Sequence, residues 1–166
     1  ENILGGLLLA AGITLLIDSI KDIIINKELT WANILEGMAG GALAGAGLGL
    51  MLAKQLGLSW KNGMLLGAVI GVGLSLAIMS IVAEIVDGLD LGKILLGALG
   101  GAIAGGGIGA GIMLKSGGSL VHGAALGAII GVGVVLSIMG IIAEIKDGVN
   151  FGNALLTAIG GALIGA

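Results

Sequence analysis

The pattern of apolar and polar positions divides the chain into six long uncharged segments separated by short polar connectors. The segments are 16 to 28 residues long, close to the ~20 residues that a helix needs to cross a bilayer core. They are residues 2–17, 37–53, 62–83, 94–114, 116–143 and 148–166. No segment alternates apolar with polar residues as a half-buried strand does, and each is far longer than a strand of about 5–6 residues. The pattern predicts an all-α chain of six near-spanning helices arranged as hairpins.

The segments recur with a period of about sixty residues. Residues 67–88, GAVIGVGLSLAIMSIVAEIVDG, match residues 127–148, GAIIGVGVVLSIMGIIAEIKDG, at 15 of 22 positions without a gap. Residues 40–49 match residues 100–109 at the same offset. Such internal repeats indicate tandem copies of one supersecondary unit.

We therefore predict a tandem array of glycine-rich helical hairpins of transmembrane type. Its units are a partial first repeat at 1–28, two hairpin repeats at 29–88 and 89–148, and a truncated further repeat at 149–166. The first segment has only 16 residues, and Asp18 and Asp22 make its continuation amphipathic. The first unit would therefore also suit a helix that lies along a membrane interface.

Glycine occurs at every fourth position within several segments. Each interior glycine costs a helix in water about 1 kcal/mol relative to alanine. In hydrocarbon the helix is held together because an unpaired backbone group costs several kcal/mol. Residues four apart share one helical face, so the glycines form a stripe on which another helix can pack closely. The predicted helix-packing residues are Gly37, Gly41, Gly45, Gly49, Gly63, Gly67, Gly71, Gly97, Gly101, Gly105, Gly109, Gly123, Gly127 and Gly131.

The composition supports a membrane or otherwise sheathed environment. Of the 166 residues, 57% are hydrophobic and 10% are charged, and the mean hydropathy is +1.21. A soluble domain carries roughly 25% charged residues, so this chain has too few to cover itself in water. Its seven basic residues are lysines scattered singly, with a net charge of −3, which excludes the basic footprint of sequence-specific nucleic-acid binding.

The connectors between the segments alternate in charge. The second and fourth, with their flanks, contain Lys54, Lys61, Lys115 and His122 and no acid, whereas the other connectors and their flanks hold nine of the ten acids. An up-and-down array of hairpins would place these two sets at opposite ends of the helices. Trp31 and Trp60 stand at segment starts, where they suit either an interfacial aromatic belt or packing of the turns.

Four acidic residues are candidates for ion binding or for a pore mouth. Glu84 and Glu144 end the long apolar runs, and Asp87 and Asp147 follow three residues later on the same face. Carboxylates within a membrane are candidate functional groups, although these also suit the point where a helix leaves the apolar layer before an Asp-Gly turn.

No other constellation suggests catalysis. His122 has no second histidine or cysteine with which to form a metal site, and no GKS or GKT follows the glycine-rich runs as in a phosphate-binding loop. We predict a protein that is not an enzyme and that needs no cofactor or metal. From the residues alone, a channel or transporter subunit and a bacteriocin-like pore-forming module both remain open.

Residues 12–50, GITLLIDSIKDIIINKELTWANILEGMAGGALAGAGLGL, and the GxGxxL and IxxIVxEIxDG patterns of residues 71–88 carry a resemblance. The sequence resembles the hydrophobic portion of phage tail tape measure proteins, especially those from phages and prophages of Gram-positive bacteria. The resemblance implies a structural protein that packs in several copies inside the tail tube and later enters the host membrane, where it helps to form a conduit for DNA. It also implies other copies of the chain, tail tube or tail-tip proteins and a lipid membrane as partners, and the virion tail lumen and then the host cell membrane as locations.

Overall fold

The computed structural model describes residues 2–147 and 151–165, which form six α-helices and contain no strand. The helices are α1 (Asn2–Asn26), α2 (Trp31–Leu52), α3 (Trp60–Asp87), α4 (Leu91–Ser116), α5 (Leu120–Asp147) and α6 (Phe151–Gly165). The prediction of an all-helical chain is confirmed for this part of the sequence. Five helices are long and apolar enough to cross a membrane, but α6 has only 15 residues. The prediction of six near-spanning helices therefore holds for five of them.

Short polar residues determine where the helices begin. Four of them accept a hydrogen bond from the backbone N–H three residues later, which satisfies one of the free donors in the first helical turn. These bonds join Thr30 to Asn33 (3.2 Å), Ser59 to Asn62 (3.2 Å), Asp90 to Lys93 (2.9 Å) and Ser119 to His122 (3.4 Å). At the end of α4, Gly117 adopts a left-handed conformation with φ 79° and its N–H donates to the Met113 carbonyl, as glycine commonly does at a helix C-terminus.

Each helix packs antiparallel against the next, and α3 also touches α1 and α5. In the described part of the chain, α2, α4 and α6 make no such contact among themselves. The alternation places the connectors at 27–30 and 88–90 at one end of the helices, here called the acidic end. The connectors at 53–59 and 117–119 lie at the opposite end, here called the lysine end.

Helix α1 continues well beyond the uncharged segment that predicted it. The charged residues Asp18, Lys21 and Asp22 lie inside it, and it extends to Asn26. Its glycines Gly5 and Gly12 lie against α2, so α1 runs lengthwise along α2. The predicted unit boundaries near residues 28 and 88 coincide with connectors at the acidic end, and the boundary at 148–149 lies outside the described residues.

Most of the buried core lies towards the acidic end, where α3 meets α1 on one side and α5 on the other. One cluster joins α1, α2 and α3 through Ile23, Ile34, Leu76, Met79 and Ala83. A second joins α3 to α5 through Ala77, Val135 and Met139. In the most apolar 18-residue window of each spanning helix, only 17% to 39% of the residues are buried. Most of the apolar surface of these helices therefore faces outwards.

Candidate membrane-embedded site: two glycine seams and the acidic end

The first glycine seam joins α2 to α3 and α4 to α5. Twelve of the fourteen predicted packing glycines face each other there, so that a Cβ on either one would press on the carbonyl oxygen of its partner. The pairs are Gly41 with Gly71, Gly45 with Gly67, Gly49 with Gly63, Gly101 with Gly131, Gly105 with Gly127 and Gly109 with Gly123. The helices thus meet backbone to backbone, the geometry that small residues permit between membrane helices.

The other two predicted glycines face a methionine instead of a glycine. A Cβ at Gly37 would lie 2.6 Å from Met79 Cε, and one at Gly97 would lie 3.1 Å from Met139 Sδ. Both methionines are fully buried. Each therefore fills the space that a missing side chain leaves at the acidic end of the seam.

A second glycine seam, which the four-residue spacing did not indicate, joins α1 to α2, α3 to α4 and α5 to α6. A Cβ at Gly40 would lie 2.7 Å from Gly12 O, one at Gly100 would lie 2.6 Å from Gly73 O, and one at Gly133 would lie 2.7 Å from Gly160 O. Two signals in the sequence could have revealed it. Gly40, Gly100 and Gly160 are sixty residues apart, and several members of the seam have a second glycine seven residues away, two helical turns along the same face.

The predicted acidic candidates occupy different environments at the acidic end. The Glu84 side chain is 1% exposed, whereas the Asp87 side chain is 50% exposed and lies 3.0 Å from Lys93 Nζ. Glu144 is partly buried, with Oε1 3.4 Å from the Thr157 hydroxyl that donates to it. The side chain of Asp147 lies outside the described residues. Asp87 thus suits a helix end in contact with water, and Glu84 lies inside the packed helices.

Lys93 holds the connector between α3 and α4 together. Its ammonium group donates to the Gly88 carbonyl (2.7 Å) and to Asp87 (3.0 Å), and it lies 3.3 Å from Asp90 Oδ2. The pKa of Asp90 lies below its ordinary value of 3.8. The main cause is that the Lys93 backbone N–H donates to its carboxylate, and the Lys93 ammonium group lowers the pKa further. The stabilisation that Asp90 provides is therefore present above pH 3.8 and is lost as the pH falls through its lower pKa in the folded chain.

We expect Lys93→Met to lower the free energy of unfolding by about 2 kcal/mol at neutral pH. A hydrogen bond to a charged group contributes about 1.5–3 kcal/mol. The loss stays within this range, although Lys93 makes two such bonds, because water can solvate the exposed carboxylates once the lysine is gone. The measurement is unfolding in mixed detergent followed by circular dichroism. Lys21→Met is the control, since Lys21 is exposed and has no ion pair among the described residues. Equal stabilities for the two variants would contradict the assignment.

Lys146 connects α5 to the end of α3. Its ammonium donates to the carbonyls of Glu84 (2.9 Å) and Ile85 (2.6 Å), in the last turn of α3. The ammonium group places a positive charge at the C-terminus of α3, where the helix dipole favours a cation. The neighbouring junction between α1 and α2 has its own polar contact, because the Ser19 hydroxyl donates to Asn33 O (2.7 Å). Met79 Sδ of α3 lies 3.3 Å from the same hydroxyl oxygen.

The two tryptophans lie at opposite ends of the helices. Trp31, at the acidic end, is 79% exposed, and Trp60, at the lysine end, is 51% exposed. Lys61 Nζ lies 5.5 Å from the centre of the Trp60 ring. This exposure favours the interfacial belt over packing of the turns.

The described residues hold no group of three or more histidine, cysteine or acidic side chains that could bind a metal ion. His122 is exposed at the lysine end. No family model, curated protein or solved structure matches this chain.

Proposed function

We propose that this chain is the membrane-inserting part of a phage tail tape measure protein, a structural and non-enzymatic segment. It would be packed in the tail lumen in several copies and inserted into the host membrane on infection, where it helps to form a channel for DNA. The observation that carries the proposal is the outward-facing apolar surface of five helices long enough to span a bilayer. A surface of this kind requires lipid or other protein around it.

The two glycine seams support insertion as preformed hairpins. In each seam two helices pack through close contact of their backbones. The larger aliphatic side chains, such as Leu65, Leu95 and Ile112, remain on the outside. A hairpin that is already paired needs no new backbone hydrogen bonds when it moves from a protein sheath into lipid. The same folded unit can thus serve in the tail and in the membrane.

A channel for DNA requires more than one copy of the chain. Each described helix packs directly against its neighbours, so a wide passage has to form between chains. Repeated, head-to-tail contacts can close into a ring when the rotation between copies permits it. The wall of such a ring would consist mostly of the aliphatic side chains that the seams leave on the outside, and these bind DNA weakly and so allow it to pass.

A channel or transporter subunit that resides permanently in a membrane is the second candidate. The buried side chain of Glu84 favours it, because a carboxylate inside packed membrane helices is a candidate ion or proton ligand. Under this alternative, replacing Glu84 and Glu144 together with glutamine would abolish ion flux without changing assembly. Gene context also separates the two, since a tape measure protein would carry long helical heptads in the same reading frame among tail genes. A bacteriocin-like module would instead kill cells when applied from outside.

We expect the chain to release both a small dye and a dextran as wide as duplex DNA when it is diluted from detergent into liposomes. A wide passage between copies lets both through, whereas an ion channel or transporter retains the dextran. The measurement is fluorescence dequenching of the two markers in parallel.

The variant carrying Glu84→Gln and Glu144→Gln serves as the comparison. The tape measure proposal expects it to release dextran as the wild type does. Intact vesicles at high protein load would count against any pore-forming function, and dye release without dextran release would favour the narrower channel.

A further inference from the structure

An apolar groove runs along the helices between α2 and α4, with α3 as its floor. It exists because α2 and α4 do not touch in the described structure, and its volume is about 610 Å³. Glycines of the first seam form part of its walls, and leucine and isoleucine side chains such as Leu48, Ile70 and Ile112 line the rest. This volume and this lining are typical of sites that take a small apolar ligand.

The length of the groove corresponds to about one to one and a half membrane leaflets. At 1.5 Å per residue, its lining rises by about 17 Å along α2, from Gly41 to Leu52, and by about 22 Å along α3, from Gly63 to Ile78. Half of the hydrocarbon core of a bilayer is about 15 Å thick. The groove reaches the lysine end, where Leu56 and Leu58 of the connector line it.

The charged side chains that the structure describes around the lysine end of the groove are all positive. Lys115 lines the groove, and Lys54 and Lys61 lie in the adjoining connector and the first turn of α3. The sequence has no acidic residue in the ranges 37–83 and 91–143, so none on these helices neutralises the lysines at this end. Basic residues at the membrane surface attract anionic lipid headgroups.

We propose that this groove binds one acyl chain of an anionic phospholipid, with the phosphate of the headgroup held by Lys115. The site rests on the membrane-inserting part of the proposed function and requires neither a DNA channel nor a tail. Lys54 and Lys61 add to the positive potential around the phosphate, and Trp60 lies at the depth of the headgroups. The similar groove between α3 and α5 has a volume of about 480 Å³ and no charged lining residue, so it lacks the feature that selects an anion.

The charge at the lysine end favours an anionic lipid over a helix from a second copy of the chain. A second copy inserted in the same orientation would bring its own lysines to the same end. The charges there would then repel, whereas a phosphate compensates for them.

The test measures lipid retained by the full chain after reconstitution in an equal mixture of phosphatidylglycerol and phosphatidylcholine and re-extraction in mild detergent. We expect about one phosphatidylglycerol per chain, retained at least fivefold over phosphatidylcholine. Glycerol phosphate in solution should not displace it, because the acyl chain provides much of the binding. Equal retention of the two lipids, or displacement by glycerol phosphate, would overturn the proposal.

Two variants examine the two parts of the site separately. Gly111→Leu places a side chain in the groove, and its Cβ would meet only Leu66 Cδ1, at 3.5 Å. We expect it to reduce retention of both lipids at least fivefold. Lys115→Gln should abolish the preference for phosphatidylglycerol while some phosphatidylcholine still binds. Helix content measured by circular dichroism verifies that both variants fold.

The matched controls change the same residue types elsewhere. Gly161→Leu lies on α6, where a Cβ meets nothing within 4 Å, and Lys21→Gln lies at the acidic end. Both should retain phosphatidylglycerol as the wild type does. The chain has no cysteine, so Gly111→Cys reports on one other occupant, α4 of a second copy related by a two-fold axis. Disulfide-linked dimers in the bilayer would show that two α4 helices meet at the groove and would overturn the proposal.

Lipid retention and marker release distinguish failure of this site from failure of the proposed function. Selective retention without dextran release would leave the lipid site in place and remove the DNA channel. Dextran release from vesicles without selective lipid retention would support the DNA channel and overturn the lipid site.

Discussion

A single added methyl group at Gly45 is expected to separate α2 from α3. In Gly45→Ala the new Cβ would press on the Gly67 carbonyl, and the next contacts are also backbone atoms. Backbone atoms cannot rotate away as a side chain can, so the two helices have to move apart. We expect the free energy of unfolding to fall by about 3 kcal/mol or more, the upper range for overpacking.

The sign of this effect separates helix packing from helix propensity. In water, alanine in place of an interior glycine stabilises a helix by about 1 kcal/mol, so propensity alone predicts a gain. Unfolding in mixed detergent, followed by circular dichroism, measures the difference. Gly6→Ala is the control, because a Cβ at Gly6 meets nothing within 4 Å, and it should be neutral or slightly stabilising.

The equivalent contact one unit later provides an independent repetition. Gly105 faces the Gly127 carbonyl as Gly45 faces that of Gly67, so Gly105→Ala should cost a similar amount. If both variants were as stable as Gly6→Ala, close backbone contact would not be what holds these helices together.

The sequence was sufficient to predict the helices and the first seam because both depend on local spacing. A long apolar segment has to satisfy its backbone internally, and glycines four apart share a face whatever the rest of the fold does. The facing pairs, such as Gly45 with Gly67, also follow from a short connector that folds α3 back along α2. Helix, stripe and pairing are therefore properties of one hairpin.

The second seam depends on how one hairpin packs against the next, and local spacing does not determine that. Gly40 lies next to Gly41 in the chain, but Gly40 contacts α1 in the second seam and Gly41 contacts α3 in the first seam. In the sequence this appears as a glycine doublet. The recurrence of the doublet at Gly100 with Gly101 and at Gly160 with Gly161 is one of the two signals that could have identified the second seam.

The environments of the acidic residues could not be predicted for a related reason. Glu84 and Asp87 share a helical face by their spacing, which suggests similar surroundings. Glu84 is nevertheless buried while Asp87 pairs with Lys93 in the connector. The last turn of α3 is also covered by Lys146, which lies about sixty residues later and has Val86 as its counterpart at the repeat offset.

The contact between Gly37 and Met79 provides a test of coupling across the first seam. A Cβ at Gly37 would meet the Sδ and Cε atoms of Met79, with Ser19 Oγ as the next neighbour at 3.2 Å. Gly37→Ala therefore crowds a flexible side chain, and we expect a loss of about 1–3 kcal/mol. Met79→Ala empties a fully buried site, and we expect a loss of about 2–5 kcal/mol.

The double variant should be more stable than the sum of these losses predicts. Once Met79 is shortened, the Cβ at Gly37 no longer meets a side chain there and fills part of the cavity instead. We expect a coupling free energy of about 1–2 kcal/mol in the double-mutant cycle, within the range for residues in direct contact. Gly97→Ala with Met139→Ala repeats the cycle one unit later, where Met139 is also fully buried. Strictly additive losses in both cycles would mean that the methionines do not occupy the space beside these glycines, and the acidic end of the seam would then have to be packed in another way.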